Sequence, residues 1–187
     1  MPEDFEKLRY PIGRFEPPSE IDLAQIEKWI AEIETLPADL RRTVQGLTDT
    51  QLDTRYRPGG WTIRQVIHHL PDSHLNSFIR FKWALTEDRP EIKPYFEDRW
   101  AELPDYSLAP VSASLDLLEA LHRRWVALLR SLTQQDLDRE FIHPESGPAN
   151  LAETIGSYAW HGRHHLAHIQ DAIRREGWEQ QKEPNSN

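Results

Sequence analysis

The chain has no cysteine, which excludes disulfides, thiolate zinc sites and a cysteine nucleophile. Any metal must therefore be held by imidazole and carboxylate. A basic run is also missing: 22 Lys and Arg stand against 31 Asp and Glu, a net charge of −9, which argues against a nucleic-acid surface. No window approaches the ~18 apolar residues of a membrane span. The opening "MPEDFEKLRYP" has no apolar stretch of the signal-peptide kind. The expectation is a soluble, cytoplasmic protein that engages neither nucleic acid nor membrane. No strand of convincing alternation is visible either, and 187 residues suit one domain.

What is present begins with prolines. "YPIGRFEPPSEID" (10–22) fits neither regular helix nor central strand, so residues 1–18 read as an extended arm, 19–178 as a helical domain and 179–187 as a polar tail. Ser19 or Asp22 can cap a first helix in which Leu23, Ile26, Trp29, Ile30 and Ile33 recur at three- and four-residue steps. Pro37 is expected to kink or restart it before Leu40, Val44 and Leu47 continue the face. Thr62 and Gln65, after the turn "YRPGG", have capping-box spacing and open a second helix to about Leu85. Residues 87–112, with four prolines, read as a long crossing loop between the second and third helices. Ser112 or Ser114 is expected to open the third helix, with Leu118, Leu121, Trp125, Leu128 and Leu132 as its stripe. The last runs from about Asn150 to Arg175, ended by Gly177.

One internal echo organises these elements. "GLTDTQLDTRYRPGG" (46–60) and "SLTQQDLDREFIHPESG" (131–147) share a Leu-Thr start, a Leu-Asp further on, then an aromatic, a proline and a glycine. Each closes a long helix and leads into a histidine-bearing one. The reading is two helical hairpins forming an all-α four-helix bundle.

Four of nine histidines fall within "YAWHGRHHLAHIQ" (158–170). On a helical wheel Leu151, Ile155, Tyr158, Leu166, Ile169 and Ile173 form one arc with Gly162 near its centre. His165 falls inside its edge and His161 just beyond, His168 lies further round, and His164 points nearly opposite. His161 and His165, four apart, share a face and suit a single metal. An equally ordinary outcome is a half-exposed helix face decorated with histidine. A site needs a third ligand, from among His68, His69, His74, His122 and His143. Spacing alone chooses His74, which is centred on the arc of Ile63, Val66, Ile67, Leu70, Ser77 and Phe81. Such a residue, like His122 beside Leu121 and Trp125, is more often a satisfied core histidine than a ligand.

"LRYPIGRFEPP", "GGWTIRQVIHHLPDSHLNSFIRFKWALTE", "LHRRWVALLRSLT" and "YAWHGRHHLAHI" together resemble the YfiT branch of the DinB/YfiT family, provisionally described as metal-dependent hydrolases. The resemblance runs from about residue 8 to residue 178. It implies a four-helix bundle, a homodimer, and one divalent metal held by three histidines, one from the second helix and a pair four apart on the last. Carried over by motif, these are His69, second in "VIHHL", and His161 and His165, first and last in "HGRHH". The resemblance thus selects His69 where spacing selects His74. Pro71, two residues later, can distort the helix that an ideal wheel assumes.

Three imidazoles leave open positions on the metal, the pattern of a catalytic site able to activate water. Zinc or nickel is expected first, although manganese or iron would accept the same donors. Gly162 stands where a zincin motif has its catalytic glutamate, and on the expected helices only Glu119/His122 has the Glu-x-x-His spacing that a di-metal bundle needs twice. Asp72, Asn76 and Arg80 follow His69 in a row, Asp72 as base or imidazole-orienting group and Arg80 as a carboxylate fork for a small-molecule substrate; a solvated helix face is the plain alternative. Trp100 and Trp160 are candidates to line a cleft. Three functions remain open: the metal-dependent hydrolase, a metal-dependent S-transferase of a low-molecular-weight thiol such as bacillithiol, and a metal-binding bundle without turnover.

Overall fold

The computed structural model describes the backbone of residues 2–181 and the side chains of 5–179. In chain order the elements are α1 (Pro2–Arg9), α2 (Leu23–Val44), α3 (Asp49–Leu52), α4 (Ile63–Thr86), α5 (Glu97–Trp100), α6 (Asp105–Leu108), α7 (Val111–Leu129), α8 (Gln134–Leu137), β1 (Glu140–His143), β2 (Gly147–Asn150) and α9 (Leu151–Arg175). A 3₁₀ turn, Trp178–Gln181, follows; the rest of the polar tail lies outside the described residues.

The long helices α2, α4, α7 and α9 form the bundle, and local chemistry sets their ends. The Asp22 carboxylate accepts from Gln25 N at 2.7 Å, Thr62 and Gln65 form a reciprocal capping box, and Asn150 Oδ1 accepts from Glu153 N at 2.7 Å. Gly177, at φ 72°, terminates the last. Both Pro37 and Pro71 sit buried inside unbroken helices, so the expected restart at Pro37 does not occur. The third helix starts at Val111 after Pro110, not at a serine cap, because proline at its N-terminus needs no donor satisfied.

The packing departs from two side-by-side hairpins. α2 lies against α9 and α7, and α4 against α7 and α9, so the two members of each expected hairpin, α2 with α4 and α7 with α9, stand across the diagonal from each other. Small residues make this possible: a Cβ at Gly156 would stand 2.8 Å from the Trp29 ring, and one at Gly162 would stand 2.4 Å from Leu36 Cδ2, so α9 approaches α2 closely. Two apolar cores fill the bundle. One gathers Trp29, Ile30, Ile33, Phe81, Trp125 and Ile155, the other Leu36, Leu40, Ile67, Leu70, Leu118 and Ile169. α2 and α9 pass from the first to the second, α4 and α7 from the second to the first, so each of these pairs runs parallel. Joining parallel α4 to α7 requires a return over the ~28 Å length of α7, which is what the crossing loop provides. That loop carries two helical turns, α5 and α6, where the sequence suggested none.

The echo has a structural counterpart. Thr48 with Gln51 and Thr133 with Asp136 each make a capping box that opens a one-turn helix and buries a leucine, Leu52 or Leu137. Each then closes an antiparallel pairing onto the N-cap of a bundle helix: Arg55 pairs Thr62 in a single bridge, and Glu140 pairs Asn150 in a four-residue ladder. That ladder is the β1-β2 hairpin. Its strands are four residues long and one reads Gly-Pro-Ala-Asn, too short and irregular to show alternation.

The N-terminal arm is a correction as well. Pro2–Arg9 is helical, and the chain is extended only after Tyr10. The arm lies on its own bundle: Trp160 Nε1 donates to Gly13 O at 3.1 Å, and His168 Nε2 lies 3.1 Å from Arg9 O. Among the described residues, no helix is long and apolar enough to cross a membrane.

Candidate metal centre

Between the two cores runs a layer of histidine. Along α4 it takes in His69 and His74, along α7 His122 beside Leu121, and along α9 the histidines between Ala159 and Leu166. Within it, His69, His161 and His165 each offer a ring nitrogen, all within 4.8 Å of one another. His69 Nε2 and His161 Nε2 are 3.3 Å apart. Two imidazole nitrogens bound at 2.0–2.1 Å to one tetrahedral zinc lie about 3.3 Å apart, so the spacing fits a shared ion. Burial holds His69 and His165 well below the ordinary imidazole pKa and lowers His161 to about 3; neighbouring imidazoles add to each depression. All three are therefore neutral at physiological pH, with lone pairs available to a divalent cation.

The donors open onto a cleft of about 780 Å³. Trp61, next to the α4 cap, forms one wall, its ring 4.7 Å from His69 and stacked on His165 at 6.2 Å. Tyr95, from the crossing loop, forms another; its hydroxyl bonds Ser73, and burial raises its pKa. Arg57 and Arg80 are half-buried in the walls and ion-pair with nothing among the described residues, while the acidic residues of the lining, Glu97, Asp98 and Glu145, are all exposed. Arg57 Nε is buried without a hydrogen-bond partner among the described residues. The charge inside the cleft is thus positive, in a chain that is acidic overall.

His74, the residue that spacing selects, stands behind the convergent group, its Nε2 3.1 Å from His161 Nδ1. His164 is not solvated, as the wheel implied, but 8% exposed: Tyr10 of the arm packs on it at 5.8 Å, and Trp160, one turn earlier on α9, stacks at 4.5 Å. Of the row Asp72, Asn76 and Arg80, only Arg80 lines the cleft. Asp72 Oδ2 accepts from the Tyr106 hydroxyl at 2.7 Å, and Asn76 Nδ2 donates to Asp72 O at 2.8 Å. Neither Trp100 nor Trp160 reaches the lining. Trp61, Tyr95 and Arg57 do, and no spacing rule marks them, since each comes from a turn or loop.

The family model described as the DinB superfamily matches residues 32–169. The chain belongs to the DinB superfamily. A Bacillus mycoides relative, provisionally named a metal-dependent hydrolase, is 58% identical over 171 residues, which is 91% of this chain and 98% of that protein. YfiT from Bacillus subtilis, described as a probable metal-dependent hydrolase with an unusual four-helix bundle topology, superposes with a TM-score of 0.90 at 52% identity, covering 92% of this chain and 99% of YfiT. A mycothiol-dependent maleylpyruvate isomerase shares the fold alone, with a TM-score of 0.57 and 16% identity over 74% of this chain and 60% of that one. Within this DinB member, all four bundle helices fall inside or overlap the matched span.

Proposed function

We propose that this protein is a metal-dependent hydrolase of small anionic esters or amides, with His69, His161 and His165 holding one divalent ion, zinc or nickel. The observation that carries the reading is three neutral imidazoles converging within 4.8 Å on an open cleft. The names of the high-identity relatives support the same class. A divalent ion there supplies Lewis acidity and brings a water's pKa towards ~7.

The chain's own residues do the rest. Arg57 and Arg80 hold the substrate's carboxylate, Arg80 with a fork that has no competing partner among the described residues. Tyr95, kept neutral, donates to the carbonyl oxygen as charge develops there. Trp61 packs over His69 and His165 and keeps bulk water from their far sides. Asp72 positions the crossing loop through Tyr106. The setting is cytoplasmic and the assembly a homodimer. The family resemblance supports the dimer, as does the exposed stripe Leu75, Ile79 and Trp83 on α4; sedimentation as a monomer at micromolar concentration would remove it.

The metal-loaded protein, assayed on matched carboxylated and neutral esters and amides, should favour the carboxylated ones, with Arg80→Ala raising KM more than it lowers kcat. Conjugation of a low-molecular-weight thiol to an electrophile, faster than by the metal-free protein and with no ester or amide cleaved, would replace the hydrolase with the S-transferase. Inactivity on both panels would leave a metal-binding bundle.

A further inference from the structure

Each of the four bundle helices contributes one member to a chain of hydrogen bonds that ends on His161. It starts at Pro37 of α2, which has no N–H and therefore leaves the carbonyl four residues earlier, Ile33 O, without its helical donor. His122 Nδ1 of α7 lies 2.6 Å from that carbonyl. A carbonyl only accepts, so the proton is on His122 Nδ1, and a neutral imidazole has one N–H, which makes His122 Nε2 an acceptor. His74 Nδ1 of α4 lies 2.9 Å from His122 Nε2 and must donate to it. By the same rule His74 Nε2 accepts, and His161 Nδ1 of α9, 3.1 Å away, donates. The proton count leaves a bare lone pair on His161 Nε2, the atom that faces His69 Nε2. Read in the other direction, the chain would require a carbonyl to donate.

His69 and His165 have no such support: the Nδ1 atom of each is buried without a partner among the described residues. We propose that Ile33 O, His122 and His74 form a tautomer lock, positioning residues that present His161 Nε2 to a divalent cation before the cation arrives. The lock explains two features that packing alone does not: a buried proline inside α2, and two histidines, His74 and His122, buried between two apolar cores without lining the cleft. A ligand whose second nitrogen is held by a neighbour is oriented and fixed in tautomer, and loss of such a partner typically costs 10–100-fold in metal affinity.

The inference rests on the reading of His161 as a ligand, and the test separates the two. Long-range proton-nitrogen correlation spectra of the metal-free protein, labelled with ¹⁵N-histidine, read each tautomer directly. His122, His74 and His161 should all carry the proton on Nδ1, and an Nε2–H form at His74 or His161 would overturn the lock whether or not the protein binds metal. Competition with a chromophoric chelator then measures Zn²⁺ and Ni²⁺ affinity. His122→Phe should weaken both about 10–100-fold and release His74 and His161 from a single tautomer. His122→Gln, whose amide can donate to Ile33 O and accept from His74, should recover most of the loss. If His122→Phe lowers Tm but leaves affinity unchanged, the histidine is a core filler and the lock is wrong. Failure of the wild type to bind either ion would sink the ligand reading while the tautomers still judge the lock.

Discussion

α4 and α9 face each other across the histidine layer, are similar in length, and are entered through antiparallel pairings, yet they present their histidines in different ways. On α9 the convergent pair, His161 and His165, is four apart and falls at the edge of the apolar arc, where a side chain can be buried at its base and open at its tip. On α4 the residue at the centre of the arc, His74, is fully buried and turned to His122 and His161, while the residue at the border, His69, meets the cleft. The difference teaches that the centre of a helix face marks what holds a site together. Its border marks what the site can touch.

The largest effect that would break this comparison is metal loss. His69→Ala and His165→Ala should each strip the ion on dialysis against a mild chelator, read by elemental analysis, whereas His164→Ala should keep it because that ring stands outside the convergent group and packs between Tyr10 and Trp160. Retention of full metal by His69→Ala would put the border residue outside the site.

The next effect is acid lability, shared by both helices. In the metal-free protein burial lowers His161 and His164 to about 3 and His122 and His168 to about 4, below the unfolded value near 6.5. Between these values the unfolded chain binds more protons, so stability is full above about pH 6.5 and falls as pH drops towards 4. Tm measured from pH 7.5 to 4.5 should decline steeply below 6.5. A flat profile would show that the layer is charged or open to water. Metal occupancy should fall over the first part of the same range, since protonation competes with the ion.

Packing effects are smaller and sharpen the contrast. Gly156→Ala should destabilise by about 1–2 kcal/mol despite the better helix former, because its methyl meets the Trp29 and Phe15 rings below 3 Å. An unchanged denaturation midpoint would mean that α2 and α9 can part without cost. The smallest effect is expected from Trp160→Phe, which removes the bond to Gly13 O: about 0.5 kcal/mol globally, with faster proteolysis confined to the arm. Equal proteolysis of variant and wild type would detach that bond from the arm's docking.

Much of this was legible in the chain. The caps at Asp22 and Thr62, the start of the last helix near Asn150, the crossing loop and the four long helices follow from short-range chemistry, because capping and amphipathic spacing act within one or two turns. The histidine pair on α9 is local for the same reason. His69 follows from family resemblance rather than spacing, and no pattern selects Trp61, Arg57 or, among the aromatics of the crossing loop, Tyr95 as wall residues, since a wall made by turns depends on where those turns land.

By itself, then, the sequence determined an all-α chain without thiols, with four amphipathic helices, two matching turns and a histidine pair poised on one face. Tertiary structure decided the diagonal placing of α2 with α4 and of α7 with α9, the burial of His164 against the arm, the placing of Asp72 on Tyr106 and the alignment of Ile33, His122, His74 and His161 through the middle of the bundle. The physical reason is range. A cap or a helix face is settled by residues a few positions away, but the direction in which an imidazole donates is settled by partners 48 to 89 residues distant, which meet only when four helices close around them.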